Sequence, residues 1–233
     1  MKNSNQIVIP DNYTGIPVNS LQLPKSYENC IDHVLISDGM VRDRTEKLAE
    51  EIHAVIGDRP LAVLCVLKGS YKFFTLLTDA LYKRRSSSSY PMVFDFIRLR
   101  SYSGTESTGR IQVIGGNPLA KLRSRDVLVV EDIVDTGQTM SRLLELLDEH
   151  SPASVHVVSL LHKRTERSSG YVPDFVGFQI PDRFVIGCGL DYNEFFRDLN
   201  HVAVISQRGI QKFAHDEYQE QPNESNGHAA DTH

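Results

Sequence analysis

The stretch Val127-Leu128-Val129-Val130-Glu131-Asp132-Ile133-Val134-Asp135-Thr136-Gly137-Gln138-Thr139-Met140 decides the fold of this chain. Val127 to Val130 form an apolar, β-branched run, too short for a helix and suited to a strand buried on both faces. Glu131 and Asp132 follow at once, where that strand is expected to end. Asp135-Thr136-Gly137 and Thr139 then lead into a helical pattern with Leu143, Leu144 and Leu147 on one side. A strand, loop and helix in this order present backbone N–H groups and a helix N-terminus to an anion, and Thr136 and Thr139 add hydroxyls. The adjacent carboxylates suit two hydroxyls of a sugar, or a metal. An ordinary capped turn between strand and helix would explain the loop. It would not explain two acids at the end of a buried strand, where charge is costly to bury. Phosphate and vicinal diol together describe a ribose 5-phosphate.

Outward from this stretch, residues 61–67 form a second continuous apolar strand, and Lys68-Gly69-Ser70 follows directly. Residues 71–82 read as a helix with Phe73, Phe74, Leu77 and Leu81 apolar. Strand, Lys-Gly-Ser and helix lack the full Gly-x4-Gly-Lys-Ser/Thr pattern, so alone they predict only a turn. Ser37 or Asp38 can cap an earlier helix whose apolar positions Val41, Leu48, Ile52 and Val55 fall on one face, and Gly57, Arg59 and Pro60 end it. Residues 92–99 predict a third strand, with Asp95 paired or near the surface. Residues 154–161 predict another, ending in His162-Lys163-Arg164. Arg164 and Arg167 read as solvated, whereas Lys163 emerges at the same sheet edge as Glu131. Two more strand candidates, 174–180 and 184–187, flank Pro181, and 201–205 closes the core. Strands alternating with helices predict an α/β chain, with a mainly parallel twisted sheet flanked by helices and its site at the strand C-termini.

Residues 100–116 are long, hydroxyl-rich and glycine-rich, with a strand-like piece at 111–114; they predict an active-site lid. Residues 1–27, with Pro10, Pro17 and Pro24, predict an arm over the domain. Residues 216–233 hold five acids, no Lys or Arg and almost no large apolar group, which predicts a disordered tail beyond one domain of residues 1–215. A length of 233 residues, 40% hydrophobic, suffices for one full core. A net charge of −5 argues against a general nucleic-acid binder, and no apolar run approaches the ~20 residues of a membrane span. The N-terminus lacks the apolar core of a secretion signal. Cys30, Cys65 and Cys188 form no CxxC pair and suit reduced thiols, hence a cytoplasmic protein. The nine histidines show no HExxH spacing, so zinc chemistry is not expected.

The two acids ahead of Asp-Thr-Gly-x-Thr resemble the phosphoribosyl-pyrophosphate motif of type I phosphoribosyltransferases. Leu67-Lys68-Gly69, Arg100-Ser101-Tyr102, Lys163-Arg164-Thr165, Asp174-Phe175-Val176-Gly177-Phe178 and the 190–200 run resemble members of that family acting on 6-oxopurines. Two positions depart from the family: Ser70 stands where a second glycine is common, and Gln138 where lysine is frequent.

The resemblance implies the type I fold with a small hood, to which the N-terminal arm contributes or which it covers. It implies transfer of a 5-phosphoribosyl group from phosphoribosyl pyrophosphate to hypoxanthine or guanine, with Mg2+ as cofactor and a dimer or tetramer as the working form. Nucleic acid and membrane are not implied partners. By the same resemblance Glu131 and Asp132 hold the ribose hydroxyls and share metal contacts with Asp191. The loop Asp135, Thr136, Gly137, Gln138 and Thr139 grips the 5-phosphate. Lys68, Gly69 and Arg197 meet pyrophosphate, the Lys-Gly turn often through a non-proline cis peptide. Ser101 and Tyr102 belong to the lid. Phe184 stacks on the purine, and the Val185 and Asp191 carbonyls accept from its exocyclic amine. Asp135 is the general acid or base at N7, and Lys163 reads the oxygen at position 6. A regulator that kept the pocket and binds nucleic acid is the first alternative, but no helix-turn-helix or basic stripe accompanies it. A phosphosugar-binding module without turnover is the second.

Overall fold

The computed structural model describes residues 5–101, 111–114, 119 and 122–214. Its strands are β1 (Ile7–Val8), β2 (Ile31–Ile36), β3 (Leu61–Leu67), β4 (Val93–Ser101), β5 (Ile111–Ile114), β6 (Asp126–Val134), β7 (Ser154–Lys163), β8 (Phe175–Ile180), β9 (Val185–Ile186) and β10 (Val202–Ile205). Its helices are α1 (Asp38–Ile56), α2 (Tyr71–Arg84), α3 (Gln138–Asp148) and α4 (Gln207–Lys212).

The central sheet runs β1-β8-β7-β6-β3-β4-β5. Its first six strands are parallel, and β5 adds an antiparallel edge. The apolar runs of β3 and β6 sit side by side in the middle because both of their faces are covered. Val63, Cys65, Leu128 and Val130 point to the side of α1 and α2, whereas Ala62, Leu64, Val127 and Val129 point to the side of α3. Each such side chain, fully buried, contributes ~1.5–3 kcal/mol. From β3 the chain winds outward to β4, and from β6 it winds the other way to β7 and β8. The order therefore reverses between β3 and β6, and the crevice beyond their C-terminal ends is where such sheets bind ligands.

A second, three-stranded sheet, β2-β10-β9, is the hood. It is antiparallel, and its core includes Tyr27, Ile31, Val34, Ile186, Phe196 and Ala203. Residues 184–187 and 201–205 thus build the hood instead of extending the parallel sheet, and β2, a strand not expected from the sequence, joins them. The arm joins both layers. β1 pairs in parallel with β8, and Ile16 bridges to Val34 of the hood.

Two local expectations change. The central strand does not stop at Val130. After pairing with β3 ends at Cys65–Val130, β6 stays paired to β7 through Val134–His162, so the two acids stand within the strand. On α1 the N-cap is Ser37, whose hydroxyl accepts from the Met40 N–H, and Ile56 is buried where Val55 is 45% exposed. The lid expectation, including Tyr102, lies mostly outside the described residues; Ser101 closes β4, and the strand-like piece is β5. The tail expectation also lies outside them.

Candidate active site

At the crevice β3 ends in the Lys-Gly-Ser turn, and the Leu67–Lys68 peptide is cis. Gly69 is required by a close approach, since a Cβ there would lie 1.5 Å from Asp132 Oδ2. Ser70 is fully buried. Its hydroxyl accepts from the Asp132 N–H at 2.9 Å and donates to Glu131 Oε1 at 3.4 Å. Burial, and then the neighbouring Asp132 carboxylate, push the Glu131 carboxyl well above its ordinary range. Among the described residues no cation lies within ion-pair distance of Glu131 or Asp132, so hydroxyl donors or a divalent cation would complete the pair.

Residues 135–139 turn from β6 into α3 around a small cleft of about 110 Å³ bounded by Glu131, Val134, Asp135, Thr136, Gly137 and Thr139. Gly137 has φ 82°, and a Cβ there would stand 2.8 Å from the Tyr171 Cβ. That left-handed conformation favours glycine. The loop is backed by a segment that the sequence did not mark, with the Ser169 N–H donating to the Thr136 carbonyl at 2.8 Å. Gln138 is the first residue of α3 and is exposed, as is Thr139, so the helix N-terminus is open to an anion.

From β7, buried Lys163 places Nζ 2.9 Å from Asp135 Oδ2. Asp182 stands 3.9 Å from Lys163, and Arg167 stands 3.9 Å from both Asp135 and Asp182. Arg167, read as solvated, is indeed 69% exposed, yet it also borders the site. The other Asp135 oxygen, Oδ1, is buried without a hydrogen-bond partner among the described residues. Phe184 is 54% exposed, so it is not a core side chain, and its ring meets Tyr192 edge-on at 5.8 Å. Val185, by contrast, is buried in the hood strand β9.

The 188–197 segment closes the remaining side. Asp191 Oδ1 pairs with Arg197 at 2.9 Å, while Oδ2 accepts the Glu194 N–H at 2.9 Å. Glu194 in turn holds Lys68 at 2.6 Å and Arg197 at 3.5 Å, and the Lys68 hydrogen bond draws its carboxyl below the usual range. The sequence placed Lys68 and Arg197 but missed Glu194, although it lies in the run that carried the resemblance. Asn193, Glu194 and Phe196 are all left-handed. Tyr27 secures the segment: its hydroxyl donates to Asp198 and accepts the Phe196 N–H at 3.1 Å. The crevice thus joins Lys163 to Asp135, Ser70 and Gly69 to the acid pair, and Lys68 and Arg197 to Glu194 and Asp191, while the Ser101 side chain is not described. It presents an acid pair, an anion loop, a Lys–Asp pair and two cations resting on carboxylates. Among the described residues no group of three or more His, Cys, Asp or Glu could hold a metal by itself. Asp191, Glu131 and Asp132 offer hard oxygen donors that suit a divalent cation only together with ligand oxygens.

Comparison with known proteins adds the following. Residues 38–193 match the family model described as a phosphoribosyl transferase domain. The hypoxanthine-guanine phosphoribosyltransferase of Bos taurus is 51% identical over 212 residues, covering 90% of this chain and 97% of that protein. The enzyme of the same name from Homo sapiens is 51% identical over 209 residues, covering 89% and 96%. Among solved structures, hypoxanthine-guanine phosphoribosyltransferase from Schistosoma mansoni in complex with IMP superposes with a TM-score of 0.75 at 38% identity, covering 90% of this chain and 100% of that one.

Proposed function

The chain belongs to the phosphoribosyl transferase family, and we propose that it works as a purine salvage enzyme. It transfers the 5-phosphoribosyl group from phosphoribosyl pyrophosphate to hypoxanthine or guanine, giving IMP or GMP and pyrophosphate. The observation that carries this reading is the Lys163–Asp135 pair standing at the mouth of the anion loop, one strand away from the acid pair.

In the proposed complex the 5-phosphate sits in the 135–139 cleft on backbone N–H groups and the Thr139 hydroxyl, with Gln138 at the rim. Glu131 and Asp132 accept from the ribose hydroxyls. Phe184 offers its exposed face to the purine. Lys163 donates to the oxygen at position 6, and Asp135, paired with it, exchanges the N7 proton. The Val185 and Asp191 carbonyls accept from the exocyclic amine of guanine. Pyrophosphate competes with Glu194 and Asp191 for Lys68 and Arg197, joined by the Gly69 N–H, so the resting ion pairs are exchanged for ligand contacts. As the bond from C1′ to pyrophosphate breaks, positive charge builds on the ribose ring. The acid pair and the bound base then flank that charge. Family members work with a divalent metal, which we assign as Mg2+ held by Asp191, Glu131 and Asp132; when bound it supplies positive charge to the departing pyrophosphate.

We assign one catalytic domain to residues 1–215, a cytoplasmic location and a homo-oligomer, dimer or tetramer. The location is supported by the free, buried Cys30, Cys65 and Cys188. No helix among the described residues is long and apolar enough to cross a membrane. The oligomer is supported by Phe94 and Phe96, nearly half exposed beside Phe74, a face that a second copy can cover. The purified chain, given hypoxanthine, phosphoribosyl pyrophosphate and Mg2+, is expected to form IMP and to stop on chelation. Binding of phosphoribosyl pyrophosphate with no IMP formed would mark a phosphosugar-binding module instead.

A further inference from the structure

Ser70 occupies the position before α2 where a serine commonly caps a helix, yet it makes no side-chain cap bond, and its backbone is already helical at φ −72°, ψ −9°. Its hydroxyl is directed the other way, into the acid pair. There β6 has lost its neighbour β3, whose last pairing is Cys65–Val130. The Asp132 N–H, left without a strand carbonyl on that side, donates to Ser70 Oγ at 2.9 Å and has a second, longer acceptor in Glu131 Oε1 at 3.2 Å. The Ser70 hydroxyl proton is directed to that same Glu131 oxygen at 3.4 Å. Asp132 is pinned further by its own Oδ1, which accepts the Ile133 N–H at 2.8 Å, and by Gly69 beneath Oδ2.

We propose that Ser70 is a positioning residue for the ribose-binding acid pair: its hydroxyl ties the pyrophosphate turn to β6 and steadies Glu131 Oε1, leaving Oε2 to accept from the ribose diol. The inference rests on Glu131 and Asp132 holding that diol. Without the hydroxyl, the Asp132 N–H has only Glu131 Oε1 as acceptor, and satisfying it turns that carboxylate toward its own backbone. A buried N–H seldom stays unpaired, so the carboxylate is drawn from the ligand. Because Ser70 also begins the helix behind the Lys-Gly turn, it links the ribose and pyrophosphate halves of the site.

The test compares equilibrium binding of IMP and 2′-deoxy-IMP to the wild-type chain and to Ser70→Ala, with thermal melting as the control for folding. Phosphate, base and 3′-hydroxyl are common to the two nucleotides, so the ratio of their affinities reports the contact of the 2′-hydroxyl of the diol. The wild type is expected to prefer IMP. In Ser70→Ala that preference is expected to shrink roughly five- to tenfold, the size of one ordinary hydrogen bond. Ser70→Gly, which removes the hydroxyl with less volume, is expected to behave alike. An unchanged ratio in both variants, or equal weakening of both nucleotides, would overturn the role of Ser70. A wild type that bound neither nucleotide would overturn the reading of the site itself. One that bound both equally would remove the 2′-hydroxyl from the acid pair, and Ser70's role in the diol contact with it.

Discussion

Lys163 is the residue proposed to read the base. Its ammonium carries three donors and no acceptor. It is buried and pairs with Asp135, not with Glu131 or Asp132, so it is not merely a support for the acid pair. Against position 6 of a purine it suits a carbonyl oxygen, whereas the adenine amine would meet a donor with a donor. Each buried group left unpaired costs ~1–3 kcal/mol, and a site built for one hydrogen bond can reject the wrong partner by ~10⁴. Lys163→Gln can both donate and accept, so activity and the preference for hypoxanthine over adenine should fall together. Steady-state rates on both bases check this, and an intact preference in the variant would remove Lys163 as the reader. Tyr27 acts through position instead. Burial, then the hydrogen bond to Asp198, pushes its hydroxyl up to about 12, against about 10 in the unfolded chain. The neutral form is favoured by folding, so its contribution is complete below about pH 10 and is lost as pH rises through the folded value. Tyr27→Phe should flatten this alkaline loss. At neutral pH it should lower the melting temperature by several degrees, since the Phe196 N–H loses its acceptor. Melting curves across the alkaline range decide both points.

At the level of the elements, a buried ion pair holds α1 against the sheet. Arg44 donates to Glu51 at 3.1 Å and to the Val176 and Gly177 carbonyls of β8 at 2.9 and 3.1 Å. Arg44→Ala leaves Glu51 buried and uncompensated, which costs ~3–5 kcal/mol. A fall of roughly 10 °C in melting temperature is expected, largely recovered by the double variant Arg44→Met, Glu51→Leu. If the double variant melted no higher than the single one, the uncompensated charge would not be the cause. This pair also shows where reading the sequence stops. The strands β3 and β6 were legible because continuous apolar runs have one solution between two helical layers, and the anion loop because Asp-Thr-Gly-x-Thr fixes a turn and a helix start. The hood was expected from the resemblance alone and has no local signature: β9 has two residues, and β10 finds β2 about 170 positions away, pairing Val202 with Ile36. Asp182, Arg167 and Glu194 reach the site through such returns of the chain, and no local pattern singles them out. The overrun of β6 past Val130 followed from pairing with β7, which neither strand announces alone.

At the scale of the whole molecule, the N-terminal arm clasps sheet and hood together. Ile7 pairs with Phe178, Arg164 donates to the Ile9 carbonyl and Asp11 at 2.6 Å, and Arg183 donates to the Asp11 carbonyl at 3.0 Å. Arg183 immediately precedes Phe184, so the arm also steadies the residue proposed to stack on the purine. Deleting residues 1–15 is expected to lower the melting temperature by several degrees and to raise KM for the purine more than for phosphoribosyl pyrophosphate. Equal KM values in the truncated and full chains would confine the arm to a role in stability. In the proposed reaction acid pair, anion loop and Lys163–Asp135 together transfer a phosphoribosyl group to a 6-oxopurine. Its most direct test is one reaction in which the full chain, Mg2+ and phosphoribosyl pyrophosphate meet equal amounts of hypoxanthine, guanine and adenine, with every nucleotide product quantified. IMP and GMP should form, each with one equivalent of pyrophosphate, and AMP should be scarcely detectable. No nucleotide at all, or AMP in comparable yield, would contradict it.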